Sequence, residues 1–154
     1  MKAERARRVL AVAEKAVDRL RDRRLTGDEW IIAWSAAVVL LRAVGHALKN
    51  VDRCGSEQLK KAIDDAWERW NGEKDEYALF WLFIKKTRDA ILKQFELGAG
   101  QGTRVRFGVD HEVLYHVYIK GFEDLDQIEL LDLALRWWHS QLDAIEAAAE
   151  TASG

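Results

Sequence analysis

The sequence predicts an all-α fold: a bundle of about five helices with a short β-hairpin inserted before the last one. Three observations carry this. Apolar residues recur at steps of three and four along most of the chain, the period of one helix face. Proline is absent from all 154 residues, which suits long uninterrupted helices. Between residues 103 and 120 the period changes to strict alternation, the mark of strands. Hydrophobic residues make up 49% and charged residues 32%, a balance that buries a core and excludes a disordered chain. One domain over residues 1–150 is expected, with 151–154 as a frayed tail.

The first helix is expected over residues 3–24. Ala6, Val9, Leu10, Ala13, Val17 and Leu20 form its apolar stripe. Arginines 5, 7, 8, 19, 21, 23 and 24 occupy its other faces. Residues 1–25 hold nine Lys/Arg against four Asp/Glu, whereas residues 121–154 hold one Arg against eight acids. A basic helix of this kind packs beside an acidic helix, or faces RNA.

Thr26 and Glu29 have capping-box spacing and open a second helix that runs to about Asn50. It is apolar nearly all round, so it is buried from several sides. Arg42 and His46 lie four apart on one face. Gly45 beside them leaves room for another backbone to approach. His46 is either satisfied by a neighbour, or shares a polar pocket with Arg42 and Arg88. Ser56 caps a third helix that ends at Asn71-Gly72, with Leu59, Ile63, Ala66, Trp67 and Trp70 inward. Asp64, Asp65 and Glu68 on its outside read as a solvated face.

The fourth helix, Tyr77 to Leu97, is central. Tyr77, Phe80, Trp81, Ile84, Ile91, Leu92 and Phe95 make one stripe, and Arg88 interrupts it. A buried charge without a partner is expensive, so Arg88 is paired or lines a cavity or interface. GAGQG, residues 98–102, reads as a flexible break, and the hairpin follows at about 103–120 with its turn near Gly108 to His111. The hairpin should pack on the bundle or on a partner. The last helix starts near Asp124 to Asp126 and runs to about Ala149. Ile128, Leu131, Leu135, Trp138, Leu142 and Ile145 form its packing stripe.

Neither a cofactor nor a metal site is expected. GAGQG lacks the lysine and the strand–loop–helix context of a phosphate loop. His111 and His116 have opposite parity in an extended segment, so they do not share a metal. The single cysteine, Cys54, excludes an intrachain disulfide and fits a cytoplasmic location. No signal peptide is expected, because the start is charged. No membrane span is expected either: the run from Trp30 to Leu41 is too short, and Arg42 and His46 interrupt its continuation.

Arg88-Asp89-Ala90-Ile91-Leu92-Lys93 resembles the R-[N/D]-x-x-x-H element of HEPN domains, which are small helical bundles. Arg88 and Asp89 match it, and Lys93 stands where the family has histidine. The resemblance implies a metal-independent ribonuclease or a degenerate relative, often dimeric with the motif at the interface, in toxin–antitoxin or phage-defence systems. It gives Arg88 the role of stabilising phosphate charge and Asp89 that of orienting its neighbours. Ribonuclease chemistry needs a group that titrates near neutral pH. Lys93 does so only when burial or nearby cations lower its pKa; His46, with Arg42, is the substitute. The expectation is a non-catalytic HEPN-like module with a homodimeric or other protein partner, or RNA. The alternatives are an active ribonuclease using Arg88 with His46 or Lys93, and a structural or assembly protein in which Arg88 is tied into an internal ion pair.

Overall fold

The computed structural model describes residues 1–22, 24–106 and 110–152, with side chains described outside 103–114. Five α-helices and one antiparallel hairpin follow in the order α1 (Glu4–Arg21), α2 (Gly27–Asn50), α3 (Glu57–Gly72), α4 (Lys86–Gln94), β1 (Ala99–Arg106), β2 (Asp110–Val117) and α5 (Gln127–Thr151). This is the all-α bundle with an inserted hairpin. Of the expected hairpin turn, Gly108 and Val109 lie outside the described residues, as do the last two residues of the tail, and Asp110 and His111 already belong to β2.

α1 buries Ala6, Leu10, Ala13, Val17 and Leu20 of the stripe read from its sequence, with Val9 half-buried beside them. Its charges answer the asymmetry of the chain. Arg7 donates to Glu146 and to Asp143, Arg21 pairs with Asp132, and Glu14 meets His139, all on α5. α1 has no cap of its own. The backbone N–H groups of Arg5 and Ala6 donate instead to the carboxylate of Asp52, at 3.0 and 2.8 Å, in the turn after α2.

α2 is the core helix. It buries ten residues, Trp34, Val38, Leu41 and Leu48 among them, and leaves Ile32 exposed. Its apolar character continues past Leu41: Gly27–Cys54 is long and apolar enough to cross a membrane by length and composition, but packing in the bundle buries 56% of its most apolar 18-residue stretch. The capping box expected of Thr26 is absent. Thr26 makes no side-chain cap, and the N–H of Gly27 donates to the side chain of Gln101 on β1. Two other helix starts are capped: Ser56 accepts from Leu59 N–H as the expected N-cap of α3, and Asp126 and Glu129 close a reciprocal capping box on α5.

Leu79–Lys85 is π-helical and leads directly into α4. A π turn carries more residues than an α turn, so it rotates everything after it. Phe80, Ile84 and Ile91 are buried as the stripe requires, but Phe83 and Thr87 are buried too. Leu92 and Phe95, expected inside, are 59% and 66% exposed.

The hairpin starts at Ala99, inside the GAGQG segment, and not at residue 103. Gly98, at φ +69°, makes the break, and Ala99 to Gly102 are already strand, paired from Ala99↔Val117. Its base is tied to the bundle by Gln127. That side chain is 1% exposed; it accepts from Trp30 Nε1–H and donates to the carbonyls of Gly100 and His116.

Five of the seven tryptophans (Trp67, Trp70, Trp81, Trp137 and Trp138) gather with Phe80 between α3, the π segment and α5. The aromatic richness of the chain is therefore spent mainly on the core.

A candidate anion site between α2 and α4

α2 and α4 pack side by side. Arg42 and His46, one turn apart on α2, lie within electrostatic reach of Arg88 and Asp89 of α4. Four of the five residues singled out from the sequence thus converge. Lys93, one turn beyond Asp89, is exposed and stands apart from the buried part of the cluster.

Arg42 is the unusual member. It is 9% exposed, yet its Nε and Nη1 have no hydrogen-bond partner. Among the described residues no carboxylate lies within ion-pairing distance of it. Its guanidinium rests against two rings, 5.3 Å from the centroid of Phe80 and 5.8 Å from that of Trp67. Cation–π contacts offset part of the desolvation, about 0.5–2 kcal/mol each. They leave the in-plane N–H groups unsatisfied, at about 1–3 kcal/mol for each buried donor and more for a charged one. Burial, and then the charge of Arg88, push the Arg42 pKa down; Asp89 opposes them.

Gly45 makes this placement possible, though not by admitting a backbone as the sequence suggested. A Cβ there would fall 2.9 Å from Arg42 Nη1 and 3.1 Å from the ring of Trp138. The missing side chain lets the guanidinium fold along its own helix while Trp138 closes over it. Trp30, Trp34, Trp70 and Trp81 each donate their indole N–H to an acceptor. The buried indole N–H groups without a partner are those of Trp67 and Trp138, the two rings that touch Arg42 and the Gly45 position. Unsatisfied donors are concentrated here.

His46 Nε2 is also buried without a hydrogen-bond partner. Its pKa lies below the usual value, first because of burial, then because of Arg42 and Arg88, with Asp89 opposing. Arg88 Nη1 donates to Asp89 at 2.7 Å, and Lys85 Nζ donates to the other oxygen of the same carboxylate at 3.2 Å. Partial burial pushes the Asp89 pKa up, but these two hydrogen bonds outweigh it and hold it below the ordinary range. Lys49 adds a further cation, 5.1 Å from the Trp67 ring.

Arg42, Lys85 and Arg88 therefore share one carboxylate, Asp89. Such a cluster attracts a second anion, and two guanidinium groups suit phosphate or carboxylate. Sequence reasoning missed Lys85 and Lys49. The Lys85–Asp89 spacing of four on one helix was available as a signal; the ring stack around Arg42 was not, because it depends on packing. Among the described residues no group of three or more His, Cys, Asp or Glu could hold a metal ion. No family model, curated protein or solved structure matches this chain.

Proposed function

We propose that the chain is a non-catalytic, degenerate HEPN-like module that binds RNA, with a backbone phosphate held between Arg42 and Arg88. One observation carries this reading: Arg42 is nine-tenths buried, has unused N–H donors and lacks a carboxylate of its own. A phosphate oxygen supplies both the charge and the acceptors that the site lacks. Asp89 holds Arg88 and Lys85 in place and keeps the site from being purely cationic. The toxin–antitoxin or phage-defence setting belongs to the same proposal.

The test is fluorescence anisotropy with a short labelled single-stranded RNA. Wild type is expected to bind with an affinity that falls as salt rises. Arg42→Met and Arg88→Ala are each expected to weaken binding about tenfold and to lower the salt slope by about one. Equal binding by wild type and both variants overturns the proposal.

A second reading, a metal-independent ribonuclease, is favoured by His46. An imidazole kept neutral beside two arginines is placed to accept a proton. Lys93, being exposed, lacks the burial that a lysine base requires. Incubating total RNA with wild type in chelator decides between the two: intact RNA supports the binding module, and fragmentation that His46→Gln abolishes supports the enzyme. A second copy of the chain is the proposed protein partner, because Leu92 and Phe95 stand exposed close to Arg88. Sedimentation as a monomer at every accessible concentration removes that partner.

A further inference from the structure

The outer face of the hairpin carries a feature that the anion site does not explain. From residue 115 to 120 burial alternates strictly. Tyr115, Val117 and Ile119 face the bundle, whereas His116, Tyr118 and Lys120 face solvent. An aromatic residue in such a position could stand away from the sheet, but here the rings lie down. A Cβ on Gly100 would fall 2.9 Å from a ring carbon of Tyr118, and one on Gly102 would fall 2.9 Å from His116 Nε2. The two rings are stacked, with centroids 6.2 Å apart and planes inclined by 26°. Gly100 and Gly102 thus form a floor on which the two rings rest side by side. Tyr118 remains 65% exposed.

The surroundings are basic. Tyr118, Ile119 and Lys120 form one wall of a groove of about 270 Å³, with Leu82, Lys86 and Ala90 on the other. Lys86 and Lys120 contribute two cations to it, against the single carboxylate of Glu96. The groove runs along one flank of α4, and Arg88 and Asp89 occupy another. An α-helix is only about 10–12 Å across with its side chains, so a few nucleotides can bridge the two flanks, and exposed Lys93 lies on the way.

We propose that the His116–Tyr118 face is a base-stacking surface for unpaired nucleotides of single-stranded RNA. This rests on, and deepens, the RNA reading of the Arg42–Arg88 site: phosphate is held on one flank of α4 and bases are stacked on the other. Flat aromatic rings beside a basic track are how single strands are held without sequence readout. Bases inside a duplex cannot stack this way.

Aromatic cover of strand glycines also stabilises a hairpin by itself, so the variants must separate stacking from cover. Tyr118→Phe keeps the ring; Tyr118→Leu keeps an apolar cover and loses the π face. The probes are a short single-stranded RNA, the same length of abasic ribose-phosphate chain, and a duplex RNA. Expected are wild-type affinity for Tyr118→Phe, about a tenfold loss of single-strand affinity for Tyr118→Leu at unchanged Tm, and no effect of Tyr118→Leu on the abasic chain. Duplex RNA should compete poorly. If wild type binds the abasic chain as tightly as RNA and Tyr118→Leu changes neither, the stacking surface is refuted while the anion site stands. If Tyr118→Leu weakens RNA binding and Arg42→Met does not, the anion site falls and the stacking surface survives. If wild type binds no RNA, both fall.

Discussion

The α1–α5 seam and the α2–α4 cluster are both rich in charge, and they treat it in opposite ways. Along the seam, Arg7 has Glu146 and Asp143, Arg21 has Asp132 and Asp18, and Glu14 has His139. Between α2 and α4, Arg42, Lys85 and Arg88 share Asp89. Cations that serve the fold have found acids within the chain. The basic N-terminal helix, which could have been read as an RNA surface, spends Arg7 and Arg21 this way. An unmatched cation is therefore more informative in the second region than the larger number of cations in the first.

The sharpest way to break that comparison uses two buried polar residues with opposite bonding. Gln127 satisfies Trp30 and two strand carbonyls. Gln127→Leu should cost about 3 kcal/mol, since it orphans buried groups worth about 1–3 kcal/mol each. Arg42→Met removes a buried charge that has no partner, and should leave stability unchanged or raise it. Urea unfolding of both variants measures the contrast. If Arg42→Met is as damaging as Gln127→Leu, Arg42 is a structural residue and the two regions do not differ.

A smaller effect belongs to the paired side. Asp52, 8% exposed, caps α1 from the far end of α2 by accepting from two of its orphan N–H groups. Asp52→Ala should cost about 1–2 kcal/mol, the scale of a lost N-cap. Asp52→Asn should recover part of it, because an amide oxygen also accepts. No recovery, or no loss with Ala, would mean that these bonds are not what holds the start of α1.

These contrasts also show what was readable beforehand. The α1, α3 and α5 stripes came straight from helical spacing, and the alternation of residues 115–120 gave the strand face. The register after Lys85 could not be read. LFWLFI, residues 79–84, is apolar throughout, so an extra residue per turn leaves no trace in its pattern, and helical spacing alone puts Leu92 and Phe95 inside. GAGQG looked like a break because glycine has no side chain to show a face; its purpose becomes visible only when the Tyr118 and His116 rings are seen lying on it. Arg42, His46 and Arg88 were legible as polar residues that interrupt apolar runs, and Asp89 only through its place beside Arg88 in the HEPN-like motif. That Arg42 lies on Trp67 and Phe80 was not legible, because contact between distant segments is a tertiary fact.

The smallest expected effect concerns His46, and its sign separates the free cluster from an occupied one. The folded-state pKa of His46 is depressed, chiefly by burial and then by Arg42 and Arg88. The unfolded chain therefore takes up a proton first, below about pH 6.5. The contribution of the neutral imidazole is fully present above that pH and is lost as pH falls toward the depressed folded value. Asp89 and Glu146 are also depressed, but their losses begin only in the carboxylate range, near pH 4. His46→Gln should flatten the stability slope just below pH 6.5 and leave the acid limb in place. A bound phosphate would favour the imidazolium, so RNA affinity should rise over the same interval in which free stability falls. Unfolding midpoints and anisotropy, each followed from pH 7 downward, read the two slopes. Opposite slopes that both vanish in His46→Gln place the anion beside His46. An affinity that keeps its pH dependence in the variant puts the anion elsewhere, and the cations between α2 and α4 would then be unmatched for a reason other than RNA.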